Sequence, residues 1–195
     1  MPIFDKQEYL SELIDRTDLI ASNVQGFFRM GNDELNYKPG DGRWSIADIF
    51  DHLNRKYALH VKSIVSRMTT APEVQDLTFG SGWLGDWVCS KLVPRPDGRV
   101  LKMRVPKILL PAGKDPGGKE VLREFLQQMD TMHDIIRNAY SKDLEKIRIP
   151  FSLAGVVKLR LGDMLRYLVA YTERYVLEAQ QVMIPVMEGT AQGHS

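Results

Sequence analysis

Arg43-Trp44-Ser45-Ile46-Ala47-Asp48-Ile49-Phe50-Asp51-His52-Leu53 is the stretch on which the reading of this chain turns. Ser45, followed three residues later by Asp48, forms a capping box with an acid in place of the usual Glu, which satisfies the first unpaired amides of a helix. Trp44, just ahead of the cap, is placed to staple the helix start. Beyond it Ile46, Ile49, Phe50, Leu53, Tyr57, His60, Ile64 and Met68 recur at helical steps. The spacing predicts an amphipathic helix reaching about Met68, with His52 inside its apolar run.

Three further segments carry the same period. Phe4, Tyr9, Leu10, Leu13, Ile14, Ile20, Val24, Phe27 and Phe28 predict a first helix from Phe4 to about Met30, which Gly31-Asn32-Asp33 stops and a turn-rich loop over 36–42 follows. Val121, Leu122, Phe125, Leu126, Met129, Met132, Ile135 and Ile136 predict a third, from about Gly118 to Ala139. The fourth runs from about Leu161 to Met183 with a seam of Leu161, Met164, Leu168, Tyr171, Tyr175, Ala179 and Val182, and Pro185 marks its end.

Between Pro72 and Gly118 the periodicity breaks, and a connection that long should carry short elements of its own. Trp83, Leu84, Trp87, Val88, Leu92 and Val93 predict a short amphipathic helix lying on the long ones, the two tryptophans serving its packing. The alternation over Arg99 to Pro106 reads as extended crossover, and Leu144 to Leu159, with Pro150 and Gly155, reads as a second connection. The expected fold is all-α: a four-helix bundle with a long crossover between helices two and three, one domain over 1–187 and a flexible tail over 188–195.

The composition suits one domain: 195 residues, 44% hydrophobic and 26% charged. With 26 basic residues against 25 acidic ones and no basic run interleaved with aromatics, nucleic acid is not an expected partner. Neither a secretory leader nor a membrane-spanning run is evident, so the expectation is a cytoplasmic protein without a membrane partner. Cys89 stands alone, which excludes an internal disulfide framework and a thiolate zinc site and leaves it to pack as a small hydrophobe.

Four features in this order, the loop ending in Trp44-Ser45, the helix with His52-Leu53, Gly82-Trp83-Leu84-Gly85 with later Pro106-Lys107, and the Leu161-Gly162-Asp163 helix opening, resemble the DinB/YfiT-like family. The resemblance implies a four-helix bundle with a long crossover, often a homodimer, holding a divalent metal (Zn or Ni) through one histidine of helix two and two of helix four. Members with known chemistry include thiol S-transferases that use low-molecular-weight thiols. His52 matches the first ligand position. Tyr171 and Tyr175 stand where relatives have His-x3-His, on one helical face at i and i+4. A neutral imidazole offers a lone pair at pH 7, whereas a phenol of pKa about 10 must first lose a proton.

The metal site therefore reads as degenerate, with no cofactor expected. Other histidines do not rebuild it: His60 lies roughly 12 Å along the helix from His52 at about 1.5 Å per residue, His133 is on helix three, and His194 is in the tail. The candidate pocket is bounded by His52, Tyr171, Tyr175 and Asp48, the carboxylate completing a hard ligand set of the kind ferric iron takes. The plainer reading of His52 is a core histidine hydrogen-bonded to Tyr171 or Tyr175. The leading expectation is a metal-free protein that binds a small molecule or is non-catalytic. One alternative is a thiol-dependent S-transferase or hydrolase with His52 as general base; a second is a dimeric structural or interaction protein.

Overall fold

A computed structural model describes residues 1–40, 42–92, 105–111, 117–151 and 155–192. In chain order these form β1 (Ile3–Asp5), α1 (Lys6–Gln25), a 3-10 turn (Gly26–Arg29), α2 (Asn32–Asn36), α3 (Ile46–Thr70), β2 (Thr78–Gly80) and α4 (Trp83–Ser90). A second 3-10 turn (Lys107–Leu109), α5 (Lys119–Ala139), β3 (Arg148–Pro150), β4 (Lys158–Arg160) and α6 (Leu161–Gln192) complete them. The protein is mostly helical, as the periodicity predicts.

Local chemistry fixes the helix starts. Asp5 accepts from the Glu8 amide at 2.9 Å to begin α1. The capping box of α3 is closed both ways, Asp48 N–H to Ser45 Oγ at 3.0 Å and Ser45 N–H to Asp48 Oδ2 at 3.1 Å. Gly117 and Gly118, with φ of 78° and 38°, turn the chain into α5 through backbone that other residues rarely adopt.

Four long helices share the core, and their contacts give their directions. Tyr140 on Gln7 and His133 beside Asp18 make α1 and α5 antiparallel. Tyr9 on Gly162 and Arg16 on Glu173 make α1 and α6 parallel. Trp44 stacks on Tyr175 while Lys56 meets Tyr167, so α3 and α6 are antiparallel. Asn54 bonds Val121 near the starts of α3 and α5, and Val65 and Ile135 line one cavity near their ends, so those two run the same way. Joining parallel neighbours requires a return along the whole helix, roughly 37 Å for 25 residues. That return is the physical reason for the long crossover.

The apolar stripes of α3 and α6 are buried as the pattern predicts, and so is that of α5 apart from half-buried Leu126. Among the described residues no helix is long and apolar enough to cross a membrane.

The structure corrects several expectations. The chain begins as a strand, β1 pairing antiparallel with β2 (Phe4 opposite Phe79), so the first helix starts at Lys6 rather than Phe4. The second connection contains the β3–β4 hairpin, centred on buried Ile149 and Leu159. Pro185 does not end α6, which continues to Gln192, because a proline removes one backbone hydrogen bond and not the remainder of the ladder. On α4 the buried face is Gly85, Val88 and Cys89, while Trp83 and Trp87 are 71% and 55% exposed. They do not pack the helix down. The extended reading over Arg99 to Pro106 lies mostly outside the described residues.

Candidate functional site

Because α3 and α6 run antiparallel, His52 meets Tyr171 in the middle of the core. The imidazole is fully buried, with Nδ1 2.7 Å from the Leu109 carbonyl and Nε2 2.7 Å from the Tyr171 hydroxyl. A carbonyl only accepts, so Nδ1 carries the proton and donates to Leu109, and Tyr171 donates to Nε2. Burial lowers the His52 pKa and keeps the ring neutral, which fits this tautomer. Tyr175 lies with its ring 4.8 Å from both the imidazole and Tyr171, and Trp44 closes the cluster, 5.0 Å from His52 and stacked on Tyr175. The sequence placed Trp44 as a staple; it is also the lid of this cluster.

These side chains do not fit a zinc or nickel ion. The Nε2 lone pair, the one a metal would use, already accepts the Tyr171 hydroxyl. Burial is the largest cause raising the pKa of Tyr171 and of Tyr175, so both phenols stay protonated at neutral pH. Among the described residues no three His, Cys, Asp or Glu side chains gather. The Asp48 carboxylate is taken up by the Ser45 amide and by Lys38 Nζ at 3.2 Å, which makes it the helix cap. His60 is buried with its pKa lowered by burial to about 4, accepts no proton readily, and bonds the Pro150 carbonyl. His133 faces Asp18 at 3.6 Å, and His194 lies outside the described residues.

Two cations at this centre escaped the sequence reading. Lys56 lies one turn from both His52 and His60, and only 7% of it is exposed. Its Nζ is 5.1 Å from the ring centres of Tyr167 and Tyr171 and 5.8 Å from that of Phe151. Burial lowers its pKa to about 8, and no carboxylate pairs with it among the described residues. Arg174, also buried, lies 5.4 Å over the Tyr175 ring, with Nε and Nη1 unpartnered among the described residues. The spacing 52, 56, 60 was a usable signal: three polar residues at four-residue steps share the stripe that the apolar pattern turns inward.

A second polar centre forms where α4 meets the start of α6. Asp163, 1% exposed, accepts from Ser81 Oγ at 2.6 Å and from the Gly82 amide at 2.9 Å. Arg166 bonds Asp86 at 3.0 Å, and Arg160 bonds Glu145 at 2.9 Å and the Gly80 carbonyl. A Cβ on Gly85 would collide with the Asp163 carboxyl, and one on Gly162 would collide with the Phe79 ring. The Gly82-Trp83-Leu84-Gly85 and Leu161-Gly162-Asp163 motifs therefore meet, Gly82 and Gly85 admitting the Asp163 carboxyl while Gly162 makes room for the Phe79 ring. Ser81 is committed to Asp163 and offers no phosphate-binding loop.

Cavities of about 270 and 520 Å³ lie elsewhere, the first between the ends of α3 and α5 and the second against Phe4, Tyr9 and the acidic face of α1. Neither is lined by His52, Tyr171 or Tyr175. No family model matches the chain, and neither does any curated protein or solved structure.

Proposed function

We propose that this protein is a metal-independent relative of the DinB/YfiT-like four-helix bundles, a small-ligand-binding or non-catalytic member in which a tyrosine and histidine network stands where relatives hold an ion. One observation carries the reading: both nitrogens of His52 are engaged, Nδ1 by the Leu109 carbonyl and Nε2 by the Tyr171 hydroxyl. Support for the bundle comes from the four long helices, with the second and third parallel and joined by a long return. Support for the likeness comes from the meeting of the Gly82–Gly85 and Leu161–Asp163 motifs.

A thiol transferase or hydrolase using His52 as base is the less favoured reading, because a base needs a free accepting nitrogen and Nε2 has none. Elemental analysis of protein purified without chelator tests the proposal. The expected result is no stoichiometric zinc, nickel or iron in the wild type, and zinc uptake by the Tyr171→His/Tyr175→His double variant. Stoichiometric metal in the wild type, lost in His52→Ala, overturns it.

A further inference from the structure

The structure assigns a binding site for a free α-amino acid with an apolar side chain to the cavity between the ends of α3 and α5. This goes beyond the proposed function, because the cavity stands apart from His52, and it does not depend on the likeness to any family.

The size and the apolar lining come first. The cavity measures about 270 Å³. That is room for about nine water molecules at ~30 Å³ each, which suits a solute of amino-acid size and falls below the roughly 300–1,000 Å³ of drug-sized sites. Its apolar part is Met68 and Ile135, both buried, with Val65 44% exposed at the opening. Apolar surface left in water at a concave site favours whatever covers it.

The polar wall is built where the two helix ends are tied together. Glu73 and Lys142 form an antiparallel bridge, and the Val74 amide donates to the Ser141 carbonyl at 2.8 Å, which fixes the chain after α3 against the chain after α5. Residues opposite one another in such a bridge send their side chains to the same face, with Cβ atoms about 5 Å apart. An acid and a lysine placed so are expected to pair. They do not: Lys142 Nζ donates to the Ala71 carbonyl at 2.9 Å, and the Glu73 carboxylate has no partner among the described residues. The hydroxyls of Thr69 and Ser141, which also line the cavity, donate to the Val65 and Asn138 carbonyls, so their oxygens are left as acceptors.

This division of donors and acceptors selects the ligand. Glu73 and the two hydroxyl oxygens accept from an ammonium, and the two uncommitted N–H bonds of Lys142 Nζ serve a carboxylate. An α-amino acid carries both groups on one carbon, leaving its side chain for Met68, Ile135 and Val65. A simple anion would also meet Glu73, and a simple amine would also meet Lys142, so like charge works against each of them.

The test is an amide NMR titration of the full chain with L-leucine at pH 7.5, run beside isocaproate, which lacks the amine, and isoamylamine, which lacks the carboxylate. The expected result is saturable shifts at Thr69, Glu73, Ser141 and Lys142 with a Kd of about 0.1–1 mM, since a ligand this small makes few contacts. Either analogue should bind about fivefold more weakly, the scale of one exposed charge contact. Glu73→Gln, a change of charge at an exposed position, should weaken leucine to the same degree and leave isocaproate no weaker than before. No saturable shift at these amides up to about 20 mM leucine, or analogues that bind as well as leucine, overturns the assignment. The wild-type titrations decide the matter even if the variant fails to fold, and metal content, which tests the proposed function, does not enter them.

Discussion

Asp163 and Lys56 are both buried ionisable side chains packed at α6, and their surroundings differ in kind. Around Asp163 the chain supplies a hydroxyl at 2.6 Å, an amide at 2.9 Å, two nearby guanidinium groups and a glycine that lets the backbone approach. Around Lys56 it supplies ring faces and no acid. Burial raises the pKa of Asp163, and the hydrogen bonds and arginines work against that rise. Burial lowers that of Lys56 with nothing of comparable size opposing it. A compensated charge is an anchor; an uncompensated one is a group kept ready to give up its proton. His52 lies between these cases, neutral and bonded on both nitrogens.

The contrast is most easily broken at Asp163. Asp163→Ala leaves the Ser81 hydroxyl and Gly82 amide without their acceptor, and the expected loss is about 3 kcal/mol of unfolding free energy in urea titration. A loss below about 1 kcal/mol would mean that water replaces the carboxylate freely and the centre is no anchor.

Acid sharpens the other side. His52 and His60 have folded pKa values below that of a free imidazole, His60 about 4. The unfolded chain therefore binds more protons between pH 6.5 and 4, and stability present above pH 6.5 is lost as pH falls. The expected decline from pH 6.5 to 4.5 attributable to His60 is roughly 2 kcal/mol. Chemical denaturation across that range should show a shallower slope in His60→Asn than in the wild type; equal slopes would place the imidazole in water.

Tyr171→Phe is the gentlest test. It removes one hydroxyl, leaves the His52 Nε2 lone pair unpartnered, and is expected to cost about 1 kcal/mol. It should also raise the rate at which His52 takes up metal or alkylating reagents. No change in either property would show that the two side chains do not share a proton.

Much of this was legible in the residues. The Ser45–Asp48 cap, the stripe of α3 and the seam of α6 follow from spacing and cap chemistry, and α4 from its local period. A buried imidazole needs a partner, so the sequence points His52 to a tyrosine of the last helix, Tyr171 or Tyr175, and the structure selects Tyr171. Other features leave little trace. The strands are three residues long with one buried centre each, too short for a period of two to register. The Leu109 group that fixes the His52 tautomer is a backbone carbonyl, which residue type does not reveal. Lys56 was overlooked because lysine normally marks a solvated face. Trp83 and Trp87 were assigned inward because large aromatics usually are, yet α4 buries its smaller residues.

The parallel course of α1 and α6 has a consequence for how the chain acquires its structure. The contacts of α1 with α5 and α6 join residues 133 and 153 positions apart, so α1 waits for the later helices before its apolar face is fully covered. Packing of α3 with α5 and α6 does not need α1, which is expected to arrive as the closing stave. Non-local closure of this order slows folding relative to a simple hairpin array of equal helical content. During synthesis the apolar face of α1 therefore stays uncovered until α5 has been made, and is completed only by α6.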